Sequence, residues 1–280
     1  MASTTLAVHI PPEANPENVS ALVNAMARDR ERVFETVQEL LEFAEAQGIG
    51  SRTEMQFAAT KLGLLERGKE GIRISKDGVA LTSIKEEARA DILHLLMYSR
   101  WNEADPLDFL PSWSYRVSCD SYWKNHSVQL TDEFLDQQVE HIINEAEIAF
   151  TKMGFEKVDS VSFSRKSLVG FHNWLNALNP PVIKDKTFSR RAFCPPELLL
   201  LAIGYVVRDE DAVTDMDILL SREKREAICR VCLLEPDALD RALDWMIPIY
   251  PDVIEPGTSA GFYGRFIRLH KIPTLADVVR

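Results

Sequence analysis

The chain has few cysteines, four in 280 residues, and the irregular spacing of Cys119, Cys194, Cys229 and Cys232 excludes a secreted disulfide framework. Long apolar runs are missing too. The longest, over residues 198–207, is broken by Gly204 and falls well short of the ~20 residues that cross a bilayer. Met1 to Ala14 holds no Lys or Arg and includes Pro11 and Pro12, so it does not read as a secretory leader. These absences read together as a soluble, reduced, cytoplasmic protein with no membrane partner.

Chemistry-bearing motifs are equally scarce. There is no Walker loop, no glycine fingerprint after a strand and no nucleophile elbow, and the six histidines form no His-Glu-x-x-His group. Cys229-Arg230-Val231-Cys232 is a single CxxC inside a helical pattern, without a second pair at zinc spacing, and reads as small buried residues. Asp252 and Glu255 follow Pro251 without the lysine that a nuclease-type metal site would add, so a turn explains them better. The expectation is therefore no catalytic residue, no metal and no cofactor, with an unrecognised enzyme as the weakest of three readings.

Positive charge is in deficit: the net charge is −11, unfavourable for binding phosphate. It is unevenly placed, however. Residues 157–191 carry Lys157, Arg165, Lys166, Lys184, Lys186, Arg190 and Arg191 against Asp159 and Asp185, a net +5 inside an acidic chain. Such a stretch is a candidate contact surface for nucleic acid or an acidic partner.

Periodicity then supplies the architecture. Residues 1–18 are Pro-containing and aperiodic, and are expected to be a flexible arm. Val33, Phe34, Val37, Leu40, Leu41 and Ala44 mark one helical face, stopped by Gly48-Ile49-Gly50. Ser51-Arg52-Thr53-Glu54 reads as a capping box for a short helix to about Lys61. Ile72-Arg73-Ile74, Asp77-Gly78 and Val79-Ala80-Leu81 read as a hairpin turning on Asp-Gly, and Ser83 with Glu86 as a second capping box. Residues 98–123 are aromatic-rich and irregular, expected to be a packed layer. Thr131 or Asp132 caps a long amphipathic helix ended by Gly154. A shorter helix over 167–178 and a basic connector over 184–191 follow.

The C-terminal pattern is clearer: an apolar helix from Pro196 to about Arg208, a strand at Asp217 to Leu220, and a helix opened by Ser221. A turn at Leu233 to Pro236 and a third helix to Met246 come next, then strands at Val253-Ile254 and Tyr263 to Leu269 around Gly257 and Gly261. This order resembles the winged-helix superfamily. The phrase Lys61-Leu62-Gly63-Leu64-Leu65-Glu66 followed by Ile72 to Gly78 resembles it too, provided that a helix near Val19–Ala27 completes the motif.

The resemblance implies a mainly α fold with small β wings, in which two winged-helix-like modules (19–98 and 192–280) flank a helical middle region (99–191). It implies a non-catalytic adaptor, regulator or complex subunit touching DNA or RNA. A general likeness to accessory chains with degenerate winged helices adds a setting, a bacterial defence or mobile-element system. The expected contacts are Lys184, Lys186, Arg190 and Arg191, then Arg165 and Lys166, then Arg73 and Lys76, with Arg265 and Arg268 in the C-terminal wing. In such modules the third helix enters the major groove. Here that helix carries Asp237, Asp240 and Asp244 against Arg241 alone, which favours a protein partner for the C-terminal module. The alternative is a scaffold subunit with no nucleic-acid contact.

Overall fold

The computed structural model of the chain describes residues 4–50, 52–155, 158–208, 214–257 and 264–279. A strand β1 (Thr4–Leu6) leads into α1 (Pro16–Ala27). Asn15 starts this helix by accepting the Asn18 N–H at 2.9 Å, with Pro16 in the first turn where no donor is needed. Phe34 pairs with Ile72 as a one-residue bridge. Next come α2 (Val37–Ala46), capped by Thr36, then α3 (Thr53–Lys61), and a hairpin of β2 (Leu65–Arg67) and β3 (Ile72–Ile74). Two helices, α4 (Lys76–Ser83) and α5 (Glu86–Ser99), complete this part.

The middle region holds α6 (Leu110–Lys124), β4 (Ser127–Gln129), α7 (Asp132–Lys152), β5 (Val158–Val161), α8 (Arg165–Asn176), β6 (Ile183–Lys184) and β7 (Thr187–Ser189). Strands β4, β7 and β6 form one antiparallel sheet, while β1 pairs in parallel with β5. The C-terminal part runs α9 (Pro196–Val207), β8 (Asp217–Leu219), α10 (Arg222–Val231), α11 (Leu239–Met246), β9 (Ile254–Pro256) and β10 (Phe266–Leu269). Its sheet order is β8-β10-β9. The chain is thus mainly helical with small antiparallel sheets. No described helix is long and apolar enough to cross a membrane.

The two ends repeat one order. Helix, strand, helix, helix and hairpin run as α1, Phe34, α2, α3, β2–β3, and again as α9, β8, α10, α11, β9–β10. In both, the segment between the first and second helices pairs with the last strand of the hairpin.

Several sequence expectations are corrected here. Residues 4–18 are not a flexible arm: Leu6, Val8 and Ile10 are buried, and Ser114 Oγ donates to Val8 O at 2.6 Å. Their apolar alternation fills a groove of the middle region, against Gly170, where a Cβ would sit 2.1 Å from Ile10 O. The hairpin also lies earlier than the Asp-Gly signal suggested. It turns at Gly68–Gly71, and Asp77-Gly78 falls in the first turn of α4, because Ser75 Oγ accepts the Gly78 N–H at 2.9 Å and nucleates a helix.

Ser83 does not cap α5, since its hydroxyl donates back to Val79 O; Lys85 holds the cap position. Residues 110–124 are helical, not irregular, so Trp113, Tyr115, Tyr122 and Trp123 are displayed on α6 and buried. The connector over 184–191 is the β6–β7 hairpin followed by two buried arginines. Ser51, Lys157, Gly261 and Tyr263, which carried parts of the capping-box, charge and wing readings, lie outside the described residues.

The core is continuous across all three regions. Helix α5 is its axis, packing on α1, α6, α8 and α9. Around α6, Tyr115 stands edge-on to Phe171 and Trp174, and Tyr122 edge-on to Phe171 and Phe188, with centroids 5.0–5.7 Å apart. Some of the polar groups buried in this core are paired. His94 Nε2 donates to Val231 O at 2.7 Å, which fixes the tautomer, so Nδ1 accepts the Tyr115 hydroxyl, also at 2.7 Å.

Candidate functional site

The C-terminal repeat carries the most exposed of the chain's large apolar side chains among the described residues. In α11, Leu239, Ala242, Leu243 and Met246 recur at three- and four-residue spacing and are buried. The other face presents Asp240, Arg241, Asp244 and Trp245. Trp245 is 58% exposed, and its ring lies 5.2 Å from that of Phe193 at 55°. Ala192, Phe193, Arg241, Ala242, Asp244 and Trp245 line an open groove of about 640 Å³.

The carboxylates beside this groove are already engaged. Arg225 donates to both oxygens of Asp240 at 2.9 and 2.7 Å, holding that carboxyl below its ordinary range. Arg265 donates to Asp240 O at 3.0 Å and lies 2.7 Å from Asp244 Oδ1. Arg268 is held between Asp217 at 2.9 Å and Glu255 at 3.1 Å. Arg265 and Arg268 therefore face the protein's own acids. Arg241 forms no ion pair among the described residues. The groove lining is two aromatic rings, two alanines, one cation and the Asp244 carboxylate, with no histidine or hydroxyl among the described residues.

The other expected contacts are dispersed. Arg165 is chelated by Asp136, with two 2.6 Å bonds, and by Asp132 at 2.8 Å. Lys166 is exposed on α8, and Lys184 and Lys186 are exposed together at the β6–β7 turn. Arg190 and Arg191 are corrected: both are buried, which removes them from the contact surface. Arg190 lies 3.9 Å over the Trp123 ring and donates to Trp123 O at 2.6 Å. Arg191 lies 2.6 Å from Asp91 and donates to Cys232 O at 2.8 Å. A basic run in sequence gave no sign that two of its members turn inward.

Arg73 and Lys76 are brought together with Arg30 around a second groove of about 640 Å³, beside Glu31, Glu66 and Glu70. Arg73 pairs with Glu66 at 3.1 Å. The neighbouring α3 is poorly placed to read bases. Gln56 is buried, bonded to Thr60 at 2.8 Å, and Phe57 packs on Phe109 while Lys61 pairs with Asp108.

Neither cysteine of the CxxC is accessible: Cys229 and Cys232 are buried, and burial pushes the Cys229 thiol up to about 12. Glu255 is taken by Arg268, and no group of three or more His, Cys, Asp or Glu able to hold a metal occurs among the described residues. The Phe193–Trp245 pair escaped sequence reasoning. The signal that could have found it is the position of Trp245 off the apolar stripe of its own helix. No family model, curated protein or solved structure matches the chain.

Proposed function

We propose that this chain is a non-catalytic adaptor or complex subunit built on two winged-helix-like modules, and that its C-terminal module docks protein through α11 and Phe193. The repeated element order and the shared strand pairing support the modular reading. One observation carries the docking reading. On the helix that such modules usually lay in the major groove, the outward face offers an exposed Trp245 among aspartates, and the nearby arginines are spent on those aspartates. With those charges paired, the face has little positive charge to spare for phosphate, whereas Trp and Arg are the side chains that dominate protein interfaces.

A second reading is favoured by the N-terminal wing, where Arg30, Arg73 and Lys76 line one groove and Arg67 and Lys69 the adjoining one. These cations would track a nucleic-acid backbone. The test for both is fluorescence anisotropy of labelled duplex and single-stranded DNA and RNA across salt concentrations. Absence of binding at low salt is the expected result. Tight, salt-dependent binding overturns the protein-docking conclusion, and its loss in Arg73→Glu/Lys76→Glu would transfer the function to the N-terminal wing.

A further inference from the structure

The chemistry of the α11 groove narrows the kind of partner it takes, an inference that rests on the protein-docking reading above. We infer that the groove lined by Phe193, Trp245 and Arg241 binds a short peptide segment carrying one apolar anchor side chain and an adjacent carboxylate, with the carboxylate on Arg241.

Size argues for a peptide. Two aromatic side chains, at about 150–250 Å² each, fall short of the ~800 Å² per partner that a stable dimer buries. They suit one apolar side chain, laid against the contacting rings of Phe193 and Trp245 in the groove they line. A second copy of this chain is also disfavoured by its charge of −11.

Charge argues for a single carboxylate. Asp244 lines the groove but is held by Arg265, and Asp240 beside it is held by Arg225 and Arg265. Arg241 is the exposed cation of the lining, without an ion pair among the described residues. Its guanidinium can donate two parallel hydrogen bonds to a carboxylate. A polynucleotide would bring charge after charge to a lining whose one cation is Arg241, beside the exposed Asp237. A peptide needs to place only one, beside its anchor.

The exposed tryptophan gives a direct readout. The chain has five tryptophans, and Trp101, Trp113, Trp123 and Trp174 are buried, so iodide-quenchable emission reports on Trp245. The probes are synthetic nonapeptides with Leu, Phe or Pro at the centre and Glu, Gln or Lys on either side of it, together with an oligothymidylate. The Glu peptides are expected to protect Trp245 from iodide and to bind about three- to tenfold more tightly than the Gln peptides. Arg241→Gln should erase that difference while leaving the anchor contact, and Trp245→Ala, read by anisotropy of dye-labelled peptides because it lacks the reporter, should abolish binding by all of them.

Three results overturn the inference: no protection by any Glu peptide, Lys peptides binding as tightly as Glu peptides, or protection by oligothymidylate instead. Loss of quenching with protein concentration alone, together with a dimer that Trp245→Ala dissociates, would assign the groove to a second copy. Failure of the Glu peptides without any nucleic-acid binding defeats this inference and leaves the docking reading standing.

Discussion

Asp91 on α5 meets Arg191 in the middle of the molecule, Oδ1 lying 2.6 Å from Nη1, with the two side chains 0% and 2% exposed. The Asn179 N–H donates to the other carboxylate oxygen at 2.9 Å. One ion pair thereby fastens the first helical region to the segment that enters the C-terminal repeat. Breaking a buried pair from one side strands a charge and costs about 3–5 kcal/mol. Asp91→Ala and Arg191→Met should each lower the unfolding free energy by that amount in urea titrations. The double variant Asp91→Ala/Arg191→Met should lose clearly less than the sum, and strict additivity would show that the pair is not coupled.

The basic residues of 184–191 should separate into two classes under charge reversal. Lys184→Glu/Lys186→Glu alters exposed side chains at a turn, where substitutions stay within about 0.5 kcal/mol. Its melting temperature should move by no more than about 2 °C. Arg190→Glu places a carboxylate over the Trp123 ring, and Arg191→Glu places one against Asp91. Both should yield insoluble or unfolded chains on expression. A soluble, fully folded Arg191→Glu protein would contradict the buried placement.

Acid should destabilise the protein through His94. Burial drives this imidazole down to about 3, and the neutral ring is the form that donates to Val231 and accepts from Tyr115. The folded chain therefore binds fewer protons than the unfolded one, whose histidine titrates near 6.5. The stabilisation is complete above pH 6.5 and falls by about 1.4 kcal/mol per pH unit as pH drops toward the folded value. His172, lowered to about 4 by burial, acts in the same sense, and Asp91 and Asp120, whose carboxyls burial pushes up, act in the opposite one. The decisive measurement is thus the difference in slope of stability against pH between the wild type and His94→Gln, from pH 6.5 to 4.5. Equal slopes would show that His94 does not remain neutral in the fold.

Two glycines should respond oppositely to alanine. A Cβ at Gly78 would lie 2.2 Å from Leu64 O, a backbone atom pinned where Ser75 N–H donates to it at 3.0 Å. Gly78→Ala should cost about 1–3 kcal/mol despite its place in a helix. Gly50 has open space around its Cβ position and no positive φ, so Gly50→Ala should be neutral or add up to about 1 kcal/mol. Thermal melts of the two variants, side by side, check the contrast.

Much of the helical framework was legible in the chain. Caps at Thr131 and Ser221, apolar stripes at 135–153 and 239–246, and the stop at Gly154 are local signals, and local hydrogen bonding honours them. The hairpin was misplaced because Asp77-Gly78 is a strong turn signal in isolation, and only the Ser75 cap and the close approach of Leu64 convert it to helix. Aromatic density over 98–123 masked the periodicity of α6, since nearly every face of that helix is covered. The Trp245 groove was present as a letter off the stripe, but its partner Phe193 lies on a different segment.

By itself, the sequence determined the class of molecule: a mainly helical chain with small hairpins at both ends and no motif for phosphate, metal or nucleophile. Those properties depend on residue type and on spacings of three and four, which the backbone enforces over a few residues. Tertiary structure decided which charges are available. Arg190 and Arg191 are drawn inward, Arg165, Arg265 and Arg268 are neutralised by acids distant in sequence, and Arg241 is left facing a groove. Charge pairing across tens of residues depends on distance in space, and no local pattern records it.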